Sequence, residues 1–504
     1  MTIDPRTPVI IGVAQLSQKP TIGDQLINAP DPIDLMTEAI RQAAADAAGA
    51  DAVADLINAI DTIAVVGGLW RYKNPAALII DELNGAEELG NREVRTILTT
   101  FGGNLPIHSA HTLAQRIADD DIDLAVLTGG ECNFSRRNLT KRDEKPRRRD
   151  DIRADDVENW GPPLDMGDLV AVDRGGETPR NSYAILDSAI RAERGETLKE
   201  ARDRAAQLWS GYAAVGARNP HAADPSGPSA QTIRNPTDKN RMVSWPYTKA
   251  MCANNNVDQA AALIIASTET ADRLGVPASQ RVYPHLCVAS YDTNNLLERE
   301  EVTRAPGLAA AAAALQARVG PLDEIDHLEL YSCFPSIVTL TTESLGINPK
   351  RQLTVTGGLA FAGAPLNFAA GQGLVGMVQT LRSDPGSRGF VQGNGGHATK
   401  HALGIYSTAV PPNAHQLVEL GQFGAPVPIA AADHVGEGRV EGVTVEYEHG
   451  GPTRAIAIVG YDDGQRSWAT STNRDLMEDC ISRECVGRRV MVDAGAMRWL
   501  DADG

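Results

Sequence analysis

Apolar residues recur along this chain at two spacings, and the switch between them marks out its elements. Val94 to Thr100 has the β-branched, half-apolar character of a strand, and Ala110, Leu113, Ala114, Ile117 and Ala118 then share one helical face. A strand is therefore expected to feed a helix through the Gly102-Gly103 turn. Ile122 to Leu127 is a second run of strand length, closed by Gly129-Gly130. This is a βαβ unit whose turn lies at the carboxyl edge of its strand, where open α/β sheets place ligand sites.

The same pattern extends to both sides. Pro8 to Ala14 is continuously apolar, as a buried first strand requires, Asp34 to Ala48 reads as an alanine-rich helix, and Ile60 to Val66 as the next strand. Strand, helix, strand predicts a parallel α/β sheet. From Cys132 to about Trp245 the alternation stops, with helices expected at Ala184 to Arg194 and Thr197 to Ala214 and an irregular loop at Asn219 to Ala230. Met251 to Ser267 then reads as a polar turn around Asn254 to Asn256 leading into a buried strand. The second half repeats the first in outline. His327 to Tyr331, Gln352 to Thr356 and Gly389 to Gln392 are expected strands, Ala370, Leu374, Met377, Val378 and Leu381 line one helical face, and Ala402 to Ser407 is expected to close the sheet. After Pro411-Pro412 come short strands at Gly438 to Glu448, Ala455 to Tyr461, Arg466 to Ser471 and Gly487 to Asp493, the spacing of a small closed barrel.

Composition narrows the function classes. A chain of 504 residues implies two or three domains, and a formal charge of −18 argues against nucleic acid or an anionic membrane as partner. No apolar run reaches membrane-spanning length and the first residues lack a basic region leading into an apolar one, so a cytoplasmic protein without membrane insertion is expected. The six cysteines show no CxxC spacing, and Cys480 and Cys485 read as two reduced thiols. His397 and His401, four apart, could share a helical face, but no third ligand accompanies them and no metal site is expected. Arg136 to Arg153 carries nine basic and four acidic residues, a surplus of five positives that would attract a polyanion or form a solvated loop.

The order of these landmarks resembles the thiolase superfamily, nearest its sterol-carrier-protein type, the acetyl-CoA acetyltransferase-like proteins and the type 1 thiolase-like proteins with an extra carboxyl-terminal domain. The resemblance implies an α/β thiolase fold of two similar βαβ-rich halves layered α-β-α-β-α, with an inserted loop domain and a small OB-like barrel. It divides the chain into 1–131 completed by 246–272, the insertion 132–245, the second half 273–410 and the tail 411–504. Superposing the helix of the opening unit puts Asn104 where the family carries its nucleophilic cysteine. The family's His-Asp-Cys-Phe strand end is here Tyr331, Ser332, Cys333 and Phe334, and its Gly-His-Pro is Gly363-Ala364-Pro365. The glycine-rich loop before the last strands, Gly393 to Gly396, offers no thiol.

An amide cannot form the acyl-enzyme a thiolate forms, so ordinary thiolase turnover is not expected. Asn104 would cap its helix or aim its amide at a thioester oxygen. The resemblance implies an acyl-CoA-handling protein of lipid metabolism; if it is active, acyltransferase or related thioester chemistry would need a nonstandard set such as Cys333 with His397 or His401, and the alternative is a noncatalytic coenzyme A or lipid carrier, or a scaffold. Coenzyme A or an acyl-CoA is the implied ligand, with Arg147, Arg148 and Arg149 toward its phosphates and no tightly bound cofactor. The superfamily default is a homodimer through Val94 to Thr100, and a monomer follows if that edge is covered.

Overall fold

The computed structural model describes residues 3–18, 26, 29–49, 52–86, 88–89, 93–162 and 169–500. Its strands, in chain order, are β1 (Pro8–Gln18), β2 (Thr62–Val65), β3 (Arg95–Thr99), β4 (Leu124–Cys132), β5 (Glu158–Trp160), β6 (Met242–Ser244), β7 (Tyr247–Thr248), β8 (Asp258–Ser267) and β9 (Tyr283–Asp292). They continue with β10 (His327–Glu329), β11 (Arg388–Gly395), β12 (Lys400–Ser407), β13 (Gln416–Phe423), β14 (Val435–Glu448), β15 (Gly451–Tyr461), β16 (Arg466–Ser471), β17 (Arg489–Asp493) and β18 (Ala496–Trp499).

Two sheets carry the core. The first has the order β1-β8-β4-β2-β3-β5, parallel from β4 through β5, with β8 antiparallel to both β4 and β1. The second has the order β10-β11-β12-β9-β13. Between them lie the Leu105–Ala118 and Ala369–Ser383 helices, whose Ile107, Leu113 and Ile117, and Leu374, Met377 and Leu381, share one core with residues of both sheets. The Pro32–Ala48 and Pro75–Gly85 helices cover the outer face of the first sheet. The Pro306–Val319, Pro335–Leu345, Pro179–Glu193 and Leu198–Gly216 helices pack in the outer core of the second. Five layers result, with the helix pair at the centre, largely buried between the two sheets, and the glycine turn before Asn104 at its edge.

Several expectations change. Gln352 to Thr356 is not a strand. Its backbone wraps a buried carboxylate instead: Val355 N–H and Thr356 N–H donate to Glu329 at 2.7 and 3.1 Å, and the Thr354 and Thr356 hydroxyls add 2.9 and 2.8 Å bonds. Donors spent on a side chain cannot form a ladder. β12 does not close its sheet but runs inside it, and β13, within the segment expected to be a separate tail, forms the edge by pairing parallel to β9. β5, from the insertion, joins the first sheet.

The remaining strands form a third sheet, β15-β16-β18-β17-β14-β6-β7, in which β14 also pairs with β15, so the pairings run in a circuit of five. The Arg474–Ser482 helix lies between β16 and β17. Among the described residues no helix is long and apolar enough to cross a membrane.

Candidate functional site

The site is assembled where the two halves meet. The Leu105–Ala118 helix begins against the second half so closely that a Cβ on Gly103 would strike the Tyr331 hydroxyl and the Asn394 carbonyl, and one on Gly393 would stand 2.9 Å from the Asn104 Cα. Only glycine permits that approach. Asn104 is buried, and its side chain makes no capping bond, which corrects the capping expectation. Its Oδ1 has no hydrogen-bond partner among the described residues, and neither has Oδ1 of Asn394. Two buried amide oxygens without a donor leave room for a donor from a ligand or water, although Asn394 already spends its Nδ2 on Tyr183.

Tyr331, Cys333 and Ala364 pack around one small cluster with Leu359 and Ala369. Gln392 accepts the Tyr331 N–H at 3.2 Å, the Cys333 carbonyl accepts from Ala253 N–H at 2.9 Å, and the Asn254 carbonyl accepts from Ala364 N–H at 3.0 Å. The asparagine turn therefore ties two walls together, and Asn254 Oδ1 accepts the Asn256 N–H at 3.2 Å as turn formation requires. Burial pushes the Cys333 thiol up to about 12, although a bond with Tyr183 works the other way. Burial raises the Tyr331 and Tyr183 phenols as well, so all three stay neutral donors near pH 7.

Tyr183 went unread in the sequence. Its hydroxyl accepts from Asn394 Nδ2 and from Ala398 N–H, each at 3.0 Å, donates to the Gly396 carbonyl at 3.0 Å, and its ring stacks on Phe334 at 5.0 Å. One phenol thus fixes the glycine loop against the Cys333 strand end. A tyrosine inside a helical apolar stripe carries no signal distinguishing it from ordinary core.

The predicted histidines stand apart from this cluster. His397 bonds Ser182 Oγ through Nδ1 at 2.8 Å, and His401 bonds Asp292 through Nε2 at 2.9 Å with both groups buried. They do not share a helical face, because His397 lies in a turn and His401 on β12. Among the described residues no group of His, Cys, Asp and Glu could hold a metal ion. Arg149 is held by Asp31 at 2.8 Å and also by Asp34 and Glu82, and Arg147 pairs with Asp34 at 3.3 Å, so these two cations already have carboxylates. Arg148 lines a small cavity beside Trp70 and Tyr72.

The edge strand before the turn is covered from within: β5 pairs with β3 from Ile97 to Thr99, and Arg116 reaches over Trp160 at 5.0 Å while bonding Glu158 at 3.0 Å.

No protein-family model matches the chain, and no curated protein sequence is significantly similar. Solved structures are similar. A monomeric SCP2-thiolase like protein type 1 from Mycobacterium smegmatis shares 28% identity over 97% of this chain and 98% of its own, with a TM-score of 0.79. The Ltp2-ChsH2(DUF35) aldolase matches at 17% identity over 80% of this chain and 98% of that one, with a TM-score of 0.58. An acetyl-CoA acetyltransferase from Syntrophomonas wolfei matches at 16% identity over 81% of this chain and all of that one, with a TM-score of 0.55. The last two likenesses establish fold alone, whereas the first runs nearly end to end. Layer order, landmark order and that full-length likeness place the chain in the thiolase superfamily, beside the SCP2-thiolase-like type 1 proteins.

Proposed function

We propose that this protein binds an acyl-CoA at the Asn104, Tyr331 and Cys333 site and holds the thioester without taking its acyl group. The observation that carries the reading is the buried Asn104 amide, whose Oδ1 has no hydrogen-bond partner among the described residues, at the helix start where the family's nucleophile would stand and next to Gly103, which abuts the Tyr331 hydroxyl. The open oxygen can accept from a pantetheine amide N–H, and the Asn104 Nδ2 is the group that could donate to a thioester oxygen, but neither atom can attack the thioester. Cys333 does not substitute. With burial pushing its thiol up to about 12, the neutral thiol dominates at pH 7. Ala364, in place of an imidazole, supplies no base.

The acyltransferase reading with His397 or His401 as base has less support, since both rings are bonded elsewhere, to Ser182 and Asp292. The coenzyme A phosphates are assigned to Arg148 within the 147–149 cluster, because Arg147 and Arg149 are bound by carboxylates. We read the tail as OB-like; the circuit of five strands, with a helix between the third and fourth, supports this, and packing of Trp468 against Gly176 suggests a covering role over the insertion. Coverage of β3 by β5 supports a monomer.

Isothermal titration with coenzyme A and acetyl-CoA tests the reading. Saturable binding, weakened about tenfold or more by Tyr331→Phe, is expected. Absence of binding at millimolar ligand would overturn it.

A further inference from the structure

A large cavity lies away from the site above. It is a cleft of about 1090 Å³ between the Leu198–Gly216 and Pro335–Leu345 helices, walled on its third side by residues 346–354. Leu208, Val215, Val338, Ile347 and Leu353 give it an apolar floor. Such a volume with a mostly apolar lining and a few polar groups is typical of small-molecule sites.

Two independent features point to an occupant. The first is Gly211, in the middle of the 19-residue helix and lining the cleft. Glycine inside a helix costs about 1 kcal/mol relative to alanine. Packing does not require it: a Cβ built on Gly211 meets nothing within 4 Å. The helix is otherwise well made, with a Thr197–Glu200 capping box. A glycine that weakens a helix while facing empty space keeps volume open in the cleft.

The second feature is charge. Asp323 is paired with Arg351 at 3.5 Å, and Glu343 with Arg194 at 3.5 Å, which cancels both carboxylates of the lining. Of the other three cations in the lining, two have no carboxylate partner among the described residues. Arg204 bonds Glu196 outside the lining and Thr339 within it, while Arg218 and Lys350 have no carboxylate within ion-pair distance among the described residues. Uncompensated cations around an apolar floor, in a chain of formal charge −18, suit a ligand that is anionic at one end and hydrocarbon along its body.

We propose that this cleft is a second ligand site, for a single-chain carboxylate amphiphile of the fatty-acid class, with its hydrocarbon over Gly211 and its carboxylate at Arg218 and Lys350. It is separate from the acyl-CoA site and stands or falls without it.

The test uses the full chain and a fluorescent fatty acid displaced by dodecanoate. Dodecanoate should compete at least tenfold better than dodecyltrimethylammonium or dodecanol. Gly211→Phe, placed at a helix position where an added Cβ meets nothing within 4 Å, puts its ring into the cleft and should weaken dodecanoate binding tenfold or more while leaving the thermal unfolding midpoint unchanged or raised. Lys350→Glu with Arg218→Glu, both on exposed side chains, should weaken dodecanoate and strengthen the cationic amphiphile. Unchanged dodecanoate affinity in a folded Gly211→Phe protein, equal competition by the three amphiphiles, or no binding at 1 mM would overturn the proposal. Because acetyl-CoA titration of the same variants reads the other site, failure of one reading is distinguishable from failure of the other.

Discussion

The helix that starts at Asn104 carries His111, which joins His415 in a pair of buried imidazoles whose titration sets an acid limit on this part of the fold. His111 is fully buried, with Nδ1 2.9 Å from His415 Nε2 and its other nitrogen 2.9 Å from the Tyr406 hydroxyl. His415 closes the chain on Gln115 at 3.2 Å. Burial pushes His415 down to about 4, with nearby Asp119 opposing and His285 assisting, and burial together with His415 and His108 holds His111 well below its ordinary value. A base whose folded value is depressed leaves the unfolded chain binding more protons below its ordinary value near 6.5, so stability is lost as pH falls from about 6.5 toward 4. For His415 alone the loss between pH 8 and pH 5 is about 2 kcal/mol, counting one pH unit as about 1.4 kcal/mol. Whole-protein acid stability would not reveal this. Glu131 and Glu329 are raised by burial to about 7, and their protonation over the same interval acts in the opposite direction. The informative perturbation is therefore His415→Gln, compared with the parent by urea unfolding at both pH values. The stability difference between the two proteins should move by about 2 kcal/mol in the variant's favour on going from pH 8 to pH 5. An identical difference at both pH values would refute a neutral buried His415.

Other consequences can be checked as directly. Cys333 should react with iodoacetamide at pH 7.4 no faster than an ordinary thiol, since burial disfavours its thiolate; rapid labelling blocked by acyl-CoA would show an activated nucleophile instead. Light scattering should give the mass of one 504-residue chain, because β5 occupies the β3 edge, and a stable dimer at micromolar protein would contradict this. Gly363→Ala should destabilise by about 1–3 kcal/mol in urea, since Gly363 has a φ of 109° and its Cβ would meet the Gln259 amide; a neutral effect would mean the loop can relax.

Much of the fold could be read from spacing. The opening βαβ unit is where the apolar pattern places it, because a central helix buried between two sheets must keep a wide apolar face, and Ala110, Leu113, Ala114 and Ile117 supply it. What escaped was set by distant partners. Residues 352–356 have strand composition but give their N–H groups to Glu329, which lies about two dozen positions earlier. β5 and β13 are short or largely polar edge strands, whose pairing depends on which sheet edge is vacant rather than on their own pattern. At the site, Tyr331, Cys333 and Ala364 come together as the landmark order implied, whereas His397 and His401 do not join them. Four-residue spacing brings side chains together only on a helix, and this stretch is a turn entering a strand.

The most direct test of the central claim is intact-protein mass after incubation with acetyl-CoA at neutral pH, beside a binding titration on the same sample. Binding with no added acetyl mass, and a binding constant at least tenfold weaker in Asn104→Ala, is the predicted result. An acetyl adduct on Cys333, or binding indifferent to Asn104, would contradict a site that holds the thioester without taking its acyl group.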